Sequence, residues 1–277
     1  MYPSTAAWWA QYHQSQAISA YTDQSRRASP ENTDLLAQAA EYNAMLSAGT
    51  VALGADSRKP TTDGVAGATD LDYWQLLPSA TGAMGRLKID AIDVDLPIYH
   101  GTDDDVLEKG VGHLEGTALP VGGADTHSVL TAHRGLASAT LFDNLDKVDV
   151  GDRFSVHVLG ETLTYEVHST QVVEPSDTET LFPSPDEDLM TLVTCTPLGI
   201  NTHRILVTGE RITPTPVEDV EAANRKPEVP RFPWWALIIS GGVLGAGAFI
   251  WRSGYSRPAP AGAAAAAVPE PADRREG

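Results

Sequence analysis

Hydrophobic and polar positions alternate with a period of two through most of the middle of the chain. The pattern is clearest in Phe154-Ser155-Val156-His157-Val158 and in Leu163-Thr164-Tyr165-Glu166-Val167. Side chains on a strand point alternately to opposite faces, so each run reads as a strand with one face buried. Gly160-Glu161 between them is a hairpin signal. The same reading predicts strands at residues 86–89, 92–98, 128–131, 153–159, 162–173, 190–194 and 204–213. Short helical turns are expected at 103–109 and 139–145. Many short strands with few helices argue for a mainly β fold that closes, or nearly closes, into a barrel. No internal repeat is visible.

The ends of the chain have different textures. Residues 1–50 are rich in Ala and Gln, and Leu35, Leu36, Ala39, Tyr42 and Leu46 fall on or near one helical face behind a Thr33-Asp34 cap. Residues 51–75, rich in Gly, Thr and Asp, read as a cover loop before a barrel at 76–214. A Pro/Glu-rich linker is expected at 215–231 and a disordered Pro/Ala tail at 252–277. Between them, residues 232–251 contain no charge, enough to cross a bilayer as one helix. Trp234, Trp235 and Trp251 stand where interfacial aromatics belong. Arg252, Arg257, Arg274 and Arg275 follow this span, against Arg225, Lys226 and Arg231 before it. The positive-inside rule therefore favours a cytoplasmic tail and an extracytoplasmic barrel. Met1 to Ala10 has neither the basic start nor the apolar core of a signal peptide. Export of the barrel then calls for a further anchor upstream of Met1.

Length and composition narrow the function. The 277 residues, 42% hydrophobic, allow one large domain or two small ones with a real core. A formal net charge of -18 argues against nucleic acid, whose phosphates need clustered Lys and Arg. No metal or cofactor is expected, and Asp103-Asp104-Asp105 reads as a solvated helix start. A single cysteine, Cys195, excludes an intramolecular disulfide and a thiolate metal cluster. It is either an inert apolar residue or a nucleophile. The motif around it, Thr191-Leu192-Val193-Thr194-Cys195-Thr196-Pro197-Leu198-Gly199-Ile200-Asn201-Thr202-His203-Arg204, favours the second. A β-rich run delivers Cys195 to a strand end, and after a turn Arg204 opens the next run. In an antiparallel hairpin the two ends lie side by side, and a thiol beside a fixed cation is reactive.

Thiol chemistry near neutral pH needs a proton-transfer partner, and imidazole is suited to it. Of eight histidines, His133 is the candidate because it ends the run Ser128-Val129-Leu130-Thr131-Ala132 and precedes the turn Arg134-Gly135. His113 and His127 are weaker candidates in Gly-rich loops. His203 should point away from the site, and His157 and His168 read as structural.

These blocks resemble sortases, the cysteine transpeptidases of Gram-positive cell surfaces. Thr191-Leu192-Val193-Thr194-Cys195 is similar to their cysteine signature, Thr131-Ala132-His133-Arg134-Gly135 to their histidine block, and Arg204 falls at the arginine position. Leu96-Pro97-Ile98-Tyr99-His100-Gly101-Thr102, Gly110-Val111-Gly112-His113, Gly116-Thr117-Ala118-Leu119-Pro120-Val121-Gly122-Gly123 and Asn201-Thr202-His203-Arg204 resemble class C, the pilin-polymerising sortases. The resemblance runs from Tyr2-Pro3 through the C-terminal span, and it also implies an N-terminal anchor before that Tyr-Pro pair.

The resemblance implies a closed sortase-type β-barrel of about eight strands. It implies that Cys195 attacks the Thr–Gly carbonyl of a Leu-Pro-x-Thr-Gly-like sorting signal, with His133 as acid and base and Arg204 either donating to the developing oxyanion or holding the substrate backbone. Thr131, Thr194, Asn201 and Thr202 would support substrate and site. The partners would be pilin or surface proteins carrying such signals, a lysine on a pilin acceptor, and the cell membrane. Class C enzymes usually carry a lid with Asp-Pro-aromatic. This chain has no such triplet in residues 51–75, and Asp70, Asp72 and Trp74 are the nearest lid residues. Two alternatives remain in view. One is a sortase that anchors surface proteins to the cell-wall precursor. The other is a membrane-tethered β-barrel binding module with an inert cysteine. A papain-like protease, whose cysteine heads a helix, is opposed by the strand texture.

Overall fold

A computed structural model describes residues 2–27, 30–48, 71–230 and 234–254. The chain divides into two compact units, Met1–Pro230 and Arg231–Gly277.

In the first unit, eight strands close into a barrel. They are β1 (Ala83–Ile89), β2 (Val94–His100), β3 (Val111–His113), β4 (Thr126–Thr131), β5 (Arg153–Val158), β6 (Glu161–Val173), β7 (Asp188–Thr196) and β8 (His203–Ile212). The order around the barrel is β1-β2-β3-β4-β7-β8-β6-β5. The pairs β2–β3 and β4–β7 are parallel, and the others are antiparallel. Closure leaves no unpaired edge. Leu87, Ile98, Leu130, Val156, Leu192 and Val207 fill the interior.

Seven of the eight strands fall where alternation predicts them. The exception, β3, has three residues and lies too low in hydrophobic contrast to announce itself. Its middle residue is there for space: a Cβ on Gly112 would come within 2.4 Å of the Gly101 carbonyl oxygen. The helical turn expected at 139–145 is a run of turns ending in a 3-10 turn at Leu145–Lys147. Leu141, at φ 35, is incompatible with a helix there.

Two long helices pack on the barrel, α1 (Tyr2–Ser25) and α2 (Pro30–Ala48). The second starts earlier than the Thr33-Asp34 cap suggests, because proline is well suited to a first helical turn. Tyr21 of α1 donates from its hydroxyl to the Met84 carbonyl (2.8 Å) and accepts from the Leu159 amide (3.0 Å). Asn43 of α2 holds Leu119 by both its carbonyl and its amide (2.9 and 2.7 Å). A one-turn helix, α3 (Asp104–Leu107), follows β2.

Part of the stretch read as linker is helical: α4 (Val217–Ala223) lies on the barrel wall. Arg86, 2% exposed, makes a two-point ion pair with Asp95 and donates to the Ala223 and Arg225 carbonyls at the end of α4. The Thr164 hydroxyl donates to Asp219 (2.8 Å). In the second unit, α5 (Trp234–Gly254) has 21 residues and a mean hydropathy of 1.6, long and apolar enough to cross a membrane.

Candidate active site

Strand register brings Cys195, His133 and Arg204 to one end of the barrel. In β7 and β8, Cys195 is the direct partner of Arg204. Antiparallel partners have Cα atoms about 4.5–5.5 Å apart, so thiol and guanidinium share a neighbourhood by construction. On the other side, β4 runs parallel to β7, with Leu130 opposite Leu192 and Thr131 opposite Val193. Continuing this register by two residues sets His133 opposite Cys195, on chains spaced about 4.8 Å.

The period of two also selects the face. Val129, Thr131 and His133 share one side of their chain, Val193 and Cys195 another, Leu206 and Arg204 a third. All seven line a single cavity of about 190 Å³ on the outer wall of the barrel. Its floor is an apolar cluster of Val129, Leu181 and Leu206, packed by Leu114, Val173 and Val193. The loop between β6 and β7 forms one wall and adds Glu174 and Asp177, while Asp104 of α3 comes from the other side. An extended segment with an apolar side chain fits such a groove.

Cys195 is a free, partly exposed thiol. His133 is partly buried, and its carbonyl accepts from the Phe142 amide (3.1 Å). The turn after it requires Gly135, at φ +79, whose amide donates to Asp143 (2.6 Å). Arg204 donates Nη1 to the Asn201 and His203 carbonyls (3.1 Å each). Its Nε and Nη2 make no hydrogen bond with the described residues, so they are free to meet an incoming oxygen.

The Thr131 hydroxyl donates to the Val193 carbonyl (3.1 Å), and the Thr194 hydroxyl to the Ala132 carbonyl (2.8 Å). Both tie the β4 end to β7; Thr131 also lines the cavity, whereas Thr194 is buried behind it and acts through the backbone. Asn201, at φ 60, shapes the β7–β8 turn and supplies the carbonyl that aims Arg204. Thr202 is exposed and bonds the equally exposed His203 (2.9 Å), so it turns away from the cavity. Asp70 lies outside the described residues. Asp72 accepts from the Trp74 amide (3.1 Å) and caps a 3-10 turn at Tyr73–Gln75. Trp74 packs on Gly101 and beside the His100 ring, and neither it nor Asp72 lines the cavity of Cys195. The anchor of this segment is instead Tyr73, whose hydroxyl bonds His113 (2.9 Å) and accepts from the Gly101 amide (3.0 Å).

His113 and His127 lie in β3 and β4, and they are buried strand residues, not loop residues. Burial pushes both imidazoles below the ordinary range, His113 to about 4. His127 donates Nδ1–H to the Phe182 carbonyl (3.0 Å) and so pins the β6–β7 loop that walls the groove. No group of three or more His, Cys, Asp or Glu suited to a metal occurs among the described residues.

Sequence reasoning passed over Arg134. Its side chain, 9% exposed, pairs with Asp146 (2.8 Å) and donates to the Asp143 carbonyl and the Thr196 hydroxyl (3.0 Å each). A charged residue directly after a strand-ending histidine was the available signal.

Known proteins share this architecture. A sortase domain model matches residues 87–212. Sortase D of Bacillus subtilis (strain 168) is 32% identical over 139 residues, which is 49% of this chain and 67% of that protein. Sortase C-1 from Actinomyces oris superposes with a TM-score of 0.59 at 46% identity, covering 66% of this chain and 99% of that one. Sortase C of Streptococcus pneumoniae superposes with a TM-score of 0.63 at 39% identity, covering 73% and 98%. The eight-stranded barrel, its cysteine signature and these similarities lead to one assignment: the chain belongs to the sortase family of cysteine transpeptidases, with sortase C enzymes among its structural neighbours.

Proposed function

We propose that this protein is a membrane-anchored pilin sortase, with Cys195 as nucleophile, His133 as proton carrier and Arg204 as oxyanion donor. The observation that carries the reading is the register: three adjacent chain ends present thiol, imidazole and guanidinium at the rim of one apolar-floored groove. A Leu-Pro-x-Thr-Gly-like segment lies extended along that groove. The Cys195 thiolate attacks the threonine carbonyl carbon, and charge builds on the carbonyl oxygen, where Arg204 donates. The Thr–Gly C–N bond then breaks, and His133 passes its proton to the departing glycine amine. A thioester joins the signal to Cys195. In the second half a lysine amine of a pilin subunit attacks that thioester, His133 takes the amine's proton, and the thiolate leaves. The product is an isopeptide bond. The helix α5 holds the enzyme at the membrane where its substrates emerge, with the tail on the cytoplasmic side.

Fluorogenic peptides carrying the sorting signal test the reading. Wild type cleaves them, and Cys195→Ala, His133→Ala and Arg204→Ala each lose about 10²-fold or more, as loss of a nucleophile, base or oxyanion donor does elsewhere. Cleavage that survives Cys195→Ala would remove the proposal. Adding a pilin domain with its acceptor lysine, then that lysine changed to arginine, reads out the joining step.

A further inference from the structure

The β4–β7 ladder ends before the reactive pair. Its last backbone bond runs from the Ala132 amide to the Val193 carbonyl (3.2 Å). Beyond it the two chains are joined by side chains alone. The Thr194 hydroxyl reaches the Ala132 carbonyl (2.8 Å), and Arg134 Nη1 reaches the Thr196 hydroxyl (3.0 Å). Both contacts keep the sequence offset of 62 that the ladder sets. They therefore flank His133 and Cys195: one staple lies just before the pair and the other just after it.

The second staple is built from a braced guanidinium. Nη2 of Arg134 pairs with Asp146 (2.8 Å), and Nε donates to the Asp143 carbonyl (3.0 Å). Asp143 in turn holds the Gly135 amide, and Phe142 holds the His133 carbonyl. The imidazole-bearing turn and the thiol-bearing strand end thus meet at one planar fork. Only arginine presents donors on three sides in fixed geometry, and lysine, a point charge on a flexible stem, does not.

We infer that Arg134 is a positioning residue, a clamp that sets the spacing of His133 and Cys195 through Thr196. The inference rests on the thiol–imidazole reaction proposed above. Its consequence is kinetic. Displacing a reacting group by about 1 Å can cost around 10²-fold in turnover while leaving substrate binding intact.

The test uses the full chain in detergent with the fluorogenic sorting-signal peptide. Thr196→Val removes the acceptor hydroxyl at nearly constant volume and leaves the Arg134–Asp146 pair in place. It is expected to lower kcat about tenfold with KM within about twofold, and to shift the limbs of the pH–kcat profile. Thr196→Ser restores the hydroxyl and should restore both. Arg134→Lys is expected to lower kcat by about 10²-fold. Wild-type kcat and pH profile in Thr196→Val would overturn the clamp, whatever the activity of Arg134→Lys. So would losses that follow the thermal midpoint and are not rescued by Thr196→Ser. Full activity in Cys195→Ala or His133→Ala would overturn the reaction itself and the clamp with it. Inactive controls beside a fully active Thr196→Val would overturn the clamp alone.

Discussion

Acidification will destabilise this barrel well above the carboxylate range, through two buried imidazoles. His113 is fully buried, with Nε2–H donated to the Ala118 carbonyl (2.8 Å) and Nδ1 bonded to the Tyr73 hydroxyl (2.9 Å). His157 sits between the Ser155 and Thr162 hydroxyls (3.2 Å each). Desolvation lowers His113 to about 4, with the His100 ring adding to the effect against the Ala118 bond. Desolvation lowers His157 to about 3, helped by Arg86 and Lys88 and opposed by Asp90.

The unfolded imidazoles bind protons near pH 6.5, so between that value and the folded pKa the unfolded state holds more protons. Stability therefore falls as pH falls through this window, and neither group contributes a pH dependence well above it. Integrated to about pH 5, each imidazole costs roughly 2 kcal/mol and the two together roughly 4 kcal/mol. That is a large share of the 5–15 kcal/mol typical of a domain. His100 and His127, also lowered by burial, act in the same direction. Asp188 acts against them: burial raises its carboxyl, which protonates first in the folded state and adds stability as pH falls through the carboxylate range. Urea unfolding followed by tryptophan fluorescence at about pH 7 and about pH 5 measures the loss, and His157→Gln should remove roughly 2 kcal/mol of that pH dependence. An unfolding free energy unchanged between the two pH values, or a His157→Gln variant with the full wild-type dependence, would refute the reasoning.

Two further outcomes follow from named contacts. Gly112→Ala in β3 forces a Cβ to within 2.4 Å of the Gly101 carbonyl oxygen, and the strain should cost roughly 1–3 kcal/mol, read as a lower thermal midpoint. A midpoint equal to wild type would mean that β3 is not packed against the Gly101 turn. Arg204→Lys retains the positive charge and loses the planar fork. Peptide cleavage should fall about 10²-fold in kcat/KM, and retention of half the wild-type value would deny Arg204 its oxyanion role.

Much of this protein was legible in its residues because β alternation is local. The runs around Phe154, Leu163 and Leu192 announce strands without any tertiary knowledge, and the uncharged run before Arg252 announces an apolar helix in the same way. The cysteine signature named the family from short blocks. Where a strand was three residues long, or a helix lay in a Pro/Glu-rich stretch, as with β3 and α4, the local signal was too weak and tertiary packing made the decision. Residues 51–70, expected as a cover loop, lie outside the described residues. The site divides along the same line. A hairpin joins Cys195 to Arg204, so their pairing followed from nearby sequence. His133 is 62 positions from its partner, across a parallel pairing that no local pattern encodes. Only the folded barrel sets that register, and only there does Arg134 find Thr196, because hydrogen bonds depend on distance in space and the chain order carries no such distance.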